Sequence, residues 1–328
     1  MLVDQFGRKI TYLRVSVTDR CNLRCVYCMP VEGITWQSHD RILRFEEIVQ
    51  IVRLAAENGV SEIRLTGGEP LVRKDLADLV AMISAIPGIE DISLTTNGLL
   101  LGDQVNRLVD AGLKRINVSL DTLQPEKFAR ITRGGSLERV WQGLEKSQAA
   151  GLSPIKLNVV AMRGINDDEL PALARLSVRY PWHVRFIEIM PVKNQQSWGD
   201  KFPPPEETYL SIQEILKILE PLRPEKVKNK IGSGPARDYQ LPGSLGRIGF
   251  ISPLGEQFCE ECNRLRLTAD GNLRPCLLHD SEVPIRDALR RGEDLMPYFA
   301  QALANKPLSH ELNADNRPTG RCMMQIGG

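Results

Sequence analysis

Cys21-Asn22-Leu23-Arg24-Cys25-Val26-Tyr27-Cys28 sets three thiols at spacing C-x3-C-x2-C, and the β-rich run Tyr12–Val17 ahead of it predicts a strand that delivers them. Three thiolates are one short of a closed tetrahedral metal site. An iron–sulfur cube that only carries electrons takes four protein ligands, so three leave one iron open to bind something else. A zinc site completed by a distant residue such as His39 fits the same spacing. A second triplet stands at Cys259-x2-Cys262-x13-Cys276; here His279 could complete a zinc site, and an open cubane explains the residues equally well.

The chain has 328 residues and a formal net charge of +1, which gives no reason to expect a nucleic-acid or membrane surface. No apolar stretch approaches the length of a membrane span, and MLVDQFGRKI lacks the apolar core of a signal peptide, so a cytoplasmic protein is expected. In that compartment seven cysteines grouped as two triplets and a single residue point to metal ligands rather than disulfides. The single one, Cys322, reads as a chance residue in a mobile tail.

Six β-rich runs, Tyr12–Val17, Glu62–Thr66, Asp91–Thr95, Arg115–Leu120, Ile155–Val160 and Val184–Glu188, alternate with segments of helical periodicity at Phe45–Glu57, Asp75–Ile86, Asp103–Ala111, Leu137–Ala149 and Asp167–Val178. Such βα units imply a parallel sheet with right-handed crossovers, and six of them predict an α/β fold built on a partial (β/α)6 TIM-type barrel with its chemistry at the strand ends. Full eight-strand closure is not supported by the count. A polar stretch with Pro203-Pro204-Pro205 follows Met190-Pro191 and predicts a boundary: a barrel over 1–190 and a smaller C-terminal region over 191–328. In the latter, a helix at Ser211–Leu219, strands near Arg247–Ile251, Arg264–Thr268 and Asn272–Arg274, and helices near Ile285–Arg291 and Leu295–Asn305 are expected.

Thr66-Gly67-Gly68-Glu69-Pro70 follows the second strand; its glycines permit close backbone approach, and Glu69 offers a carboxylate to an ammonium group. Polar clusters Thr95-Thr96-Asn97-Gly98 and Asn117–Asp121 lie at other strand ends. Arg264 and Arg266, at i and i+2 on a predicted strand beside the second triplet, project to one face and suit an anionic ligand.

The first triplet and the Gly-Gly-Glu-Pro segment resemble those of the radical S-adenosylmethionine (SAM) superfamily, in which the open iron chelates the amino and carboxylate groups of SAM. Taken in order with Arg64-Leu65, Ile187–Pro191, Asn263–Arg266, the second triplet and the terminal Gly327-Gly328, they resemble the GTP 3′,8-cyclase (MoaA) family of molybdenum cofactor biosynthesis over nearly the whole chain. The resemblance implies two [4Fe-4S] clusters and SAM as cofactors, with Cys21, Cys25 and Cys28 holding the SAM cluster and Cys259, Cys262 and Cys276 the substrate cluster. It places Tyr27, Gly68, Ser119 and Met190 near SAM, and Arg14, Arg64, Thr95, Lys156, Arg264, Leu265 and Arg266 at the GTP site, Arg264 and Arg266 with a catalytic part. The implied reaction is radical conversion of GTP to (8S)-3′,8-cyclo-7,8-dihydroguanosine 5′-triphosphate by a 5′-deoxyadenosyl radical acting at ribose C3′. An electron donor, hand-over of product to cyclic pyranopterin monophosphate synthase, a homodimer, and a Gly-Gly tail that reaches the active site are implied with it.

Arg14, Arg64 and Lys156 lie on predicted strands, where a charge inside a barrel needs a partner. A triphosphate supplies one, and the absence of GxxxxGK[ST] argues against ordinary nucleotide hydrolysis. The rival readings are a peptide-modifying radical SAM enzyme with an auxiliary cluster and a zinc-binding interaction protein without catalysis.

Overall fold

Strand β1 (Tyr12–Ser16) sends Leu13 and Val15 to one face and Tyr12, Arg14 and Ser16 to the other, and its neighbours repeat this division. β2 (Glu62–Thr66), β3 (Asp91–Thr96), β4 (Arg115–Ser119), β5 (Ile155–Ala161) and β6 (His183–Glu188) follow, each paired in parallel with its predecessor. The six predicted strands are all present, with ends displaced by no more than one residue. The computed structural model describes residues 1–190, 198, 202–227, 234–255, 258–310, 318 and 320–327.

One face of this sheet is apolar and covered by helices. Leu13, Val15, Ile63, Leu65, Ile116 and Leu157 are fully buried in one hydrophobic cluster with Ile48, Ile51 and Val52 of α1 (Phe45–Glu57) and with α2 (Leu76–Ser84), α3 (Leu101–Asp110), α4 (Pro125–Thr132) and α5 (Leu137–Ala149). Each such side chain stabilises the fold by about 1.5–3 kcal/mol. The other face carries Arg14, Arg64, Ser93, Asn117, Asn158 and Arg185 and encloses a polar lumen. The predicted helix Asp167–Val178 is broken into a 3-10 turn (Asp167–Glu169), α6 (Leu170–Ala174) and α7 (Leu176–Arg179), with Pro171 in the first turn of α6, where its missing N–H costs nothing. α4 was not expected from the sequence.

Residues after 190 build on both edges of the same sheet. β7 (Glu225–Lys226), β8 (Arg237–Gln240), β9 (Arg247–Ile251), β10 (Arg264–Leu267), β11 (Asn272–Arg274) and β12 (Val283–Pro284) complete the order β12-β11-β10-β1-β2-β3-β4-β5-β6-β9-β8-β7. β10 pairs in parallel with β1 and β9 in parallel with β6, so eight central strands run one way, two more than the sequence count. β11 and β8 then pair antiparallel on the outside, and the sheet remains an open partial barrel. The predicted helix near Ser211–Leu219 forms as α8 (Ile212–Leu219), capped reciprocally by Ser211 and Glu214. Among the described residues no helix is long and apolar enough to cross a membrane.

Candidate active site

The loop after β1 is seated by the loop after β2. Gly68 N–H donates to Thr18 O at 2.9 Å and Glu69 N–H to Arg20 O at 2.8 Å. The approach is so close that a Cβ on Gly67 would lie 2.5 Å from Thr18 O and one on Gly68 2.3 Å from Arg20 O; Gly67 also sits at φ +147°. The glycine pair therefore serves the cysteine loop directly. Glu69 is buried and accepts from Leu71 N–H (3.0 Å), the Thr96 hydroxyl (2.7 Å) and Asn97 N–H (2.6 Å). Burial pushes its carboxyl up to about 7 against these three bonds.

Further along, Arg24 N–H and Val26 N–H donate to Thr132 O and Ile131 O at the end of α4, and the Arg133 guanidinium takes the carbonyls of Arg24 and Met29, both at 3.0 Å. The Tyr27 hydroxyl donates to Asp121 at 2.7 Å, whose other oxygen accepts Val160 N–H. So pinned, Cys21, Cys25 and Cys28 open on a cavity of 190 Å³ whose wall includes Tyr27, Gly68, Ser119 and Met190, the residues expected near SAM. Burial pushes the Cys21 thiol up to about 11 and Cys28 to about 12, and raises Cys25 well above its ordinary value, so loading a metal here must displace protons. His39 is exposed beside Arg20 and does not line the cavity. Three converging thiols without it suit a cubane with one open iron better than a closed zinc site. Cys322 is not in a mobile tail: it is 5% exposed, packed with Met29 and Met324 beside Cys21 and Cys28.

The second triplet lies at the opposite end of the strands. Cys259 and Cys262 precede β10, which runs with β1, while Cys276 follows the antiparallel β11, so all three stand at the N-terminal end of the barrel. The sequence expectation of chemistry at strand C-termini holds for the first triplet only. Leu278 N–H donates to Cys276 Sγ at 3.4 Å, and the Lys306 ammonium donates to Cys262 Sγ at 3.4 Å. Burial pushes the Cys262 thiol up, but Lys306 and Arg264 outweigh it and hold it below its ordinary value. His279 Nδ1 accepts Ser281 N–H at 3.1 Å, which occupies one of its two possible metal-binding nitrogens. Among the described residues no group of three or more His, Cys, Asp or Glu is gathered as a single metal ion would gather it.

Cations fill the lumen between the triplets. Register places Arg14 level with Arg266 on one side and Arg64 on the other, and Arg264 level with Tyr12. Burial, then Arg266 and Arg64, lowers Arg14 well below its ordinary value, and burial with Arg185, Arg115 and Arg64 lowers Lys156 to about 7. Thr95 Oγ1 is buried with no partner among the described residues. Alternation turns the Leu265 side chain, 1% exposed, into the apolar cluster and away from Arg264 and Arg266, which leaves its backbone as the part of it between them. Arg185 was missed. It is 5% exposed, donates to Asn117 Oδ1 at 2.5 Å and Asn158 Oδ1 at 2.7 Å, and leaves its Nε without a partner among the described residues. Its place at i+2 on β6, in the same alternation as Arg14 and Arg64, was the available signal.

The tail closes the lumen. Arg321 binds Asp270 and Glu282, after which Gly327 O accepts from Arg14 Nη2 and Arg266 Nη1, both at 2.8 Å. Gly327 is at φ +65°, and a Cβ there would lie 2.7 Å from Thr66 Cγ2. Gly328 lies outside the described residues.

Comparison with known proteins agrees with this geometry. Residues 15–177 match the radical SAM superfamily, and residues 182–312 match the family described as Molybdenum Cofactor Synthesis C. The GTP 3′,8-cyclases of Moorella thermoacetica and Pelotomaculum thermopropionicum are each 50% identical over 329 aligned residues, covering 99% of this chain and 99% of theirs. A crystal structure of Streptococcus suis SuiB bound to S-adenosylmethionine superposes with a TM-score of 0.60 at 13% identity, over 90% of this chain and 68% of that one, a likeness of fold alone. With such identity sustained from end to end, the chain belongs to the radical SAM superfamily and, within it, to the GTP 3′,8-cyclase family of molybdenum cofactor biosynthesis.

Proposed function

We propose that Cys21, Cys25 and Cys28 hold the [4Fe-4S] cluster that binds SAM, that Cys259, Cys262 and Cys276 hold a second whose open iron takes the guanine, and that GTP lies between them. There it is cyclised to (8S)-3′,8-cyclo-7,8-dihydroguanosine 5′-triphosphate, the first step of molybdenum cofactor biosynthesis. The observation that carries this reading is a buried, cation-lined lumen with an open thiol triplet at either end. When bound, the first cluster supplies the electron for reductive SAM cleavage, from which hydrogen abstraction at the substrate follows.

The chain's own residues bind, orient and exclude water. Tyr27, Gly68, Ser119 and Met190 wall the SAM cavity. Arg14, Arg64, Lys156, Arg185, Arg264 and Arg266 come from five strands, and their converging charge suits a triphosphate, whose oxygens would offset the burial and, after it, the mutual repulsion that lower several of them. Thr95 offers a buried hydroxyl that has no partner among the described residues. Fixed donors on separate strands hold a substrate in one pose, which is catalysis by positioning. In this reading residues 1–190 generate the radical and 191–328 bring the second cluster, the two β10 arginines and the tail. An electron donor, product hand-over to cyclic pyranopterin monophosphate synthase, a homodimer and a cytoplasmic location complete the proposal, on family resemblance. Anaerobic protein with GTP, SAM and reductant should form 5′-deoxyadenosine and the cyclic nucleotide, detected by mass spectrometry. SAM cleavage without GTP-derived product would refute the substrate assignment.

A further inference from the structure

Lys306 is 2% exposed, and its ammonium has no carboxylate partner among the described residues. A buried charge of this kind needs an anion or a full set of acceptors. Its three donors go to Arg264 O at 2.8 Å, Pro275 O at 2.9 Å and Cys262 Sγ at 3.4 Å. The two carbonyls aim the third N–H at the thiol. They belong to residues adjoining two cysteine loops, and the segment after Lys306 is itself tied down, because the Arg8 guanidinium takes the carbonyls of Cys259 (2.7 Å), Pro307 (2.7 Å) and Leu308 (3.0 Å). Removing Lys306 would thus take away a charge held in place by its surroundings.

Among the described residues no ammonium or guanidinium donates to a sulfur of the first triplet. Cys21 accepts from Leu23 N–H at 3.4 Å and the Asn97 amide at 3.9 Å, buried Glu69 and Asp121 lie among the neighbours, and Arg133, the cation that acts on Cys25, spends its N–H groups on the carbonyls of Arg24, Met29 and Trp198. Of the two triplets, then, the second has a cation hydrogen-bonded to a cluster thiol among the described residues. Net charge and hydrogen bonds to sulfur are what set the reduction potential of such clusters.

We propose that Lys306 is the positioning residue of the second cluster, its ammonium bonded to Cys262 Sγ offsetting the cluster's negative charge and raising its reduction potential above that of the SAM cluster. This rests on the assignment of the second triplet as a cluster site. The test is an EPR-monitored redox titration of anaerobically loaded full-length protein, with iron counted in each sample, for the wild type, Lys306→Met and Lys306→Arg. Lys306→Met should lower the ratio of reduced to oxidised second cluster at least tenfold at the wild-type midpoint, about 59 mV for one electron, and Lys306→Arg should restore most of it. Loss of the second cluster in Lys306→Met but not in Lys306→Arg supports the same role. An unchanged midpoint in Lys306→Met with about eight irons bound, or equal damage in both variants, overturns the role of the charge. A wild-type chain that loads only about four irons overturns the cluster assignment itself.

Discussion

Replacing Gly68 by Ala separates two roles for the Gly-Gly-Glu-Pro segment. The new methyl would lie 2.3 Å from Arg20 O, 2.6 Å from Arg20 C and 3.1 Å from Asp19 O, all backbone atoms of the loop that leads into Cys21. No side-chain rotation relieves this, so the loop must retreat by roughly 1 Å to reach ordinary contact. That movement breaks the bonds from Gly68 N–H to Thr18 O and from Glu69 N–H to Arg20 O. At about 0.5–1.5 kcal/mol each, their loss is about 1–3 kcal/mol, or roughly fivefold to a hundredfold in the population of the seated loop. Gly68→Ala should therefore lose iron from the first site while keeping the second, so that anaerobic reconstitution yields about half the wild-type iron and reductive SAM cleavage is abolished. Iron and sulfide analysis, with 5′-deoxyadenosine measured by chromatography, reads both. Full iron with impaired SAM cleavage would refute the reasoning, because Gly68 would then act through SAM and not through the cysteine loop.

Gly327→Val should suppress cyclisation with iron content unchanged, since φ of +65° and the 2.7 Å approach to Thr66 Cγ2 expel the tail from Arg14 and Arg266; normal product yield by mass spectrometry would contradict this. Lys156, lowered to about 7 chiefly by burial, should make GTP affinity fall by up to tenfold per pH unit as pH rises above about 7, a dependence absent in Lys156→Arg when binding is followed by calorimetry. Because the folded value lies below the unfolded 10.5, the substrate-free fold binds fewer protons between about 7 and 10.5 and should gain stability as pH rises through that window, at about 1.4 kcal/mol per unit from this group. Lys156→Met should flatten that contribution in denaturant titrations. Arg115→Met should destabilise by about 3 kcal/mol, seen in the urea midpoint, by stranding the half-buried Asp91 and Glu62 at the base of the barrel.

The cluster loop was readable because its ligands are local: C-x3-C-x2-C places three thiols within eight residues whatever surrounds them. The six strands were readable for a related reason. Runs such as Tyr12–Ser16 and Glu62–Thr66 alternate apolar with polar side chains, and period two belongs to one strand at a time. The cations of the lumen agree with that alternation: Arg14, Arg64 and Lys156 were named from the family resemblance and lie on predicted strands, and Arg185 could have been found from the same pleat.

What tertiary structure alone decided depends on contacts between residues far apart in the chain. Nothing within Arg247–Ile251 or Arg264–Leu267 says that one joins β6 and the other β1, so the eight-strand centre and the opposite placement of the two triplets appear only when those edges pair. Leu265 entered the substrate list through the family resemblance, and the pleat decided that its side chain packs into the core. The glycines at 67 and 68 line the first cavity, but that they also meet carbonyls about fifty residues upstream was legible in no local pattern. Lys306 and Gly327 carry no local pattern. Their roles come from burial beside Cys262 and Arg14, 44 and 313 residues away, and a chain reveals such partners only once folding has desolvated them together.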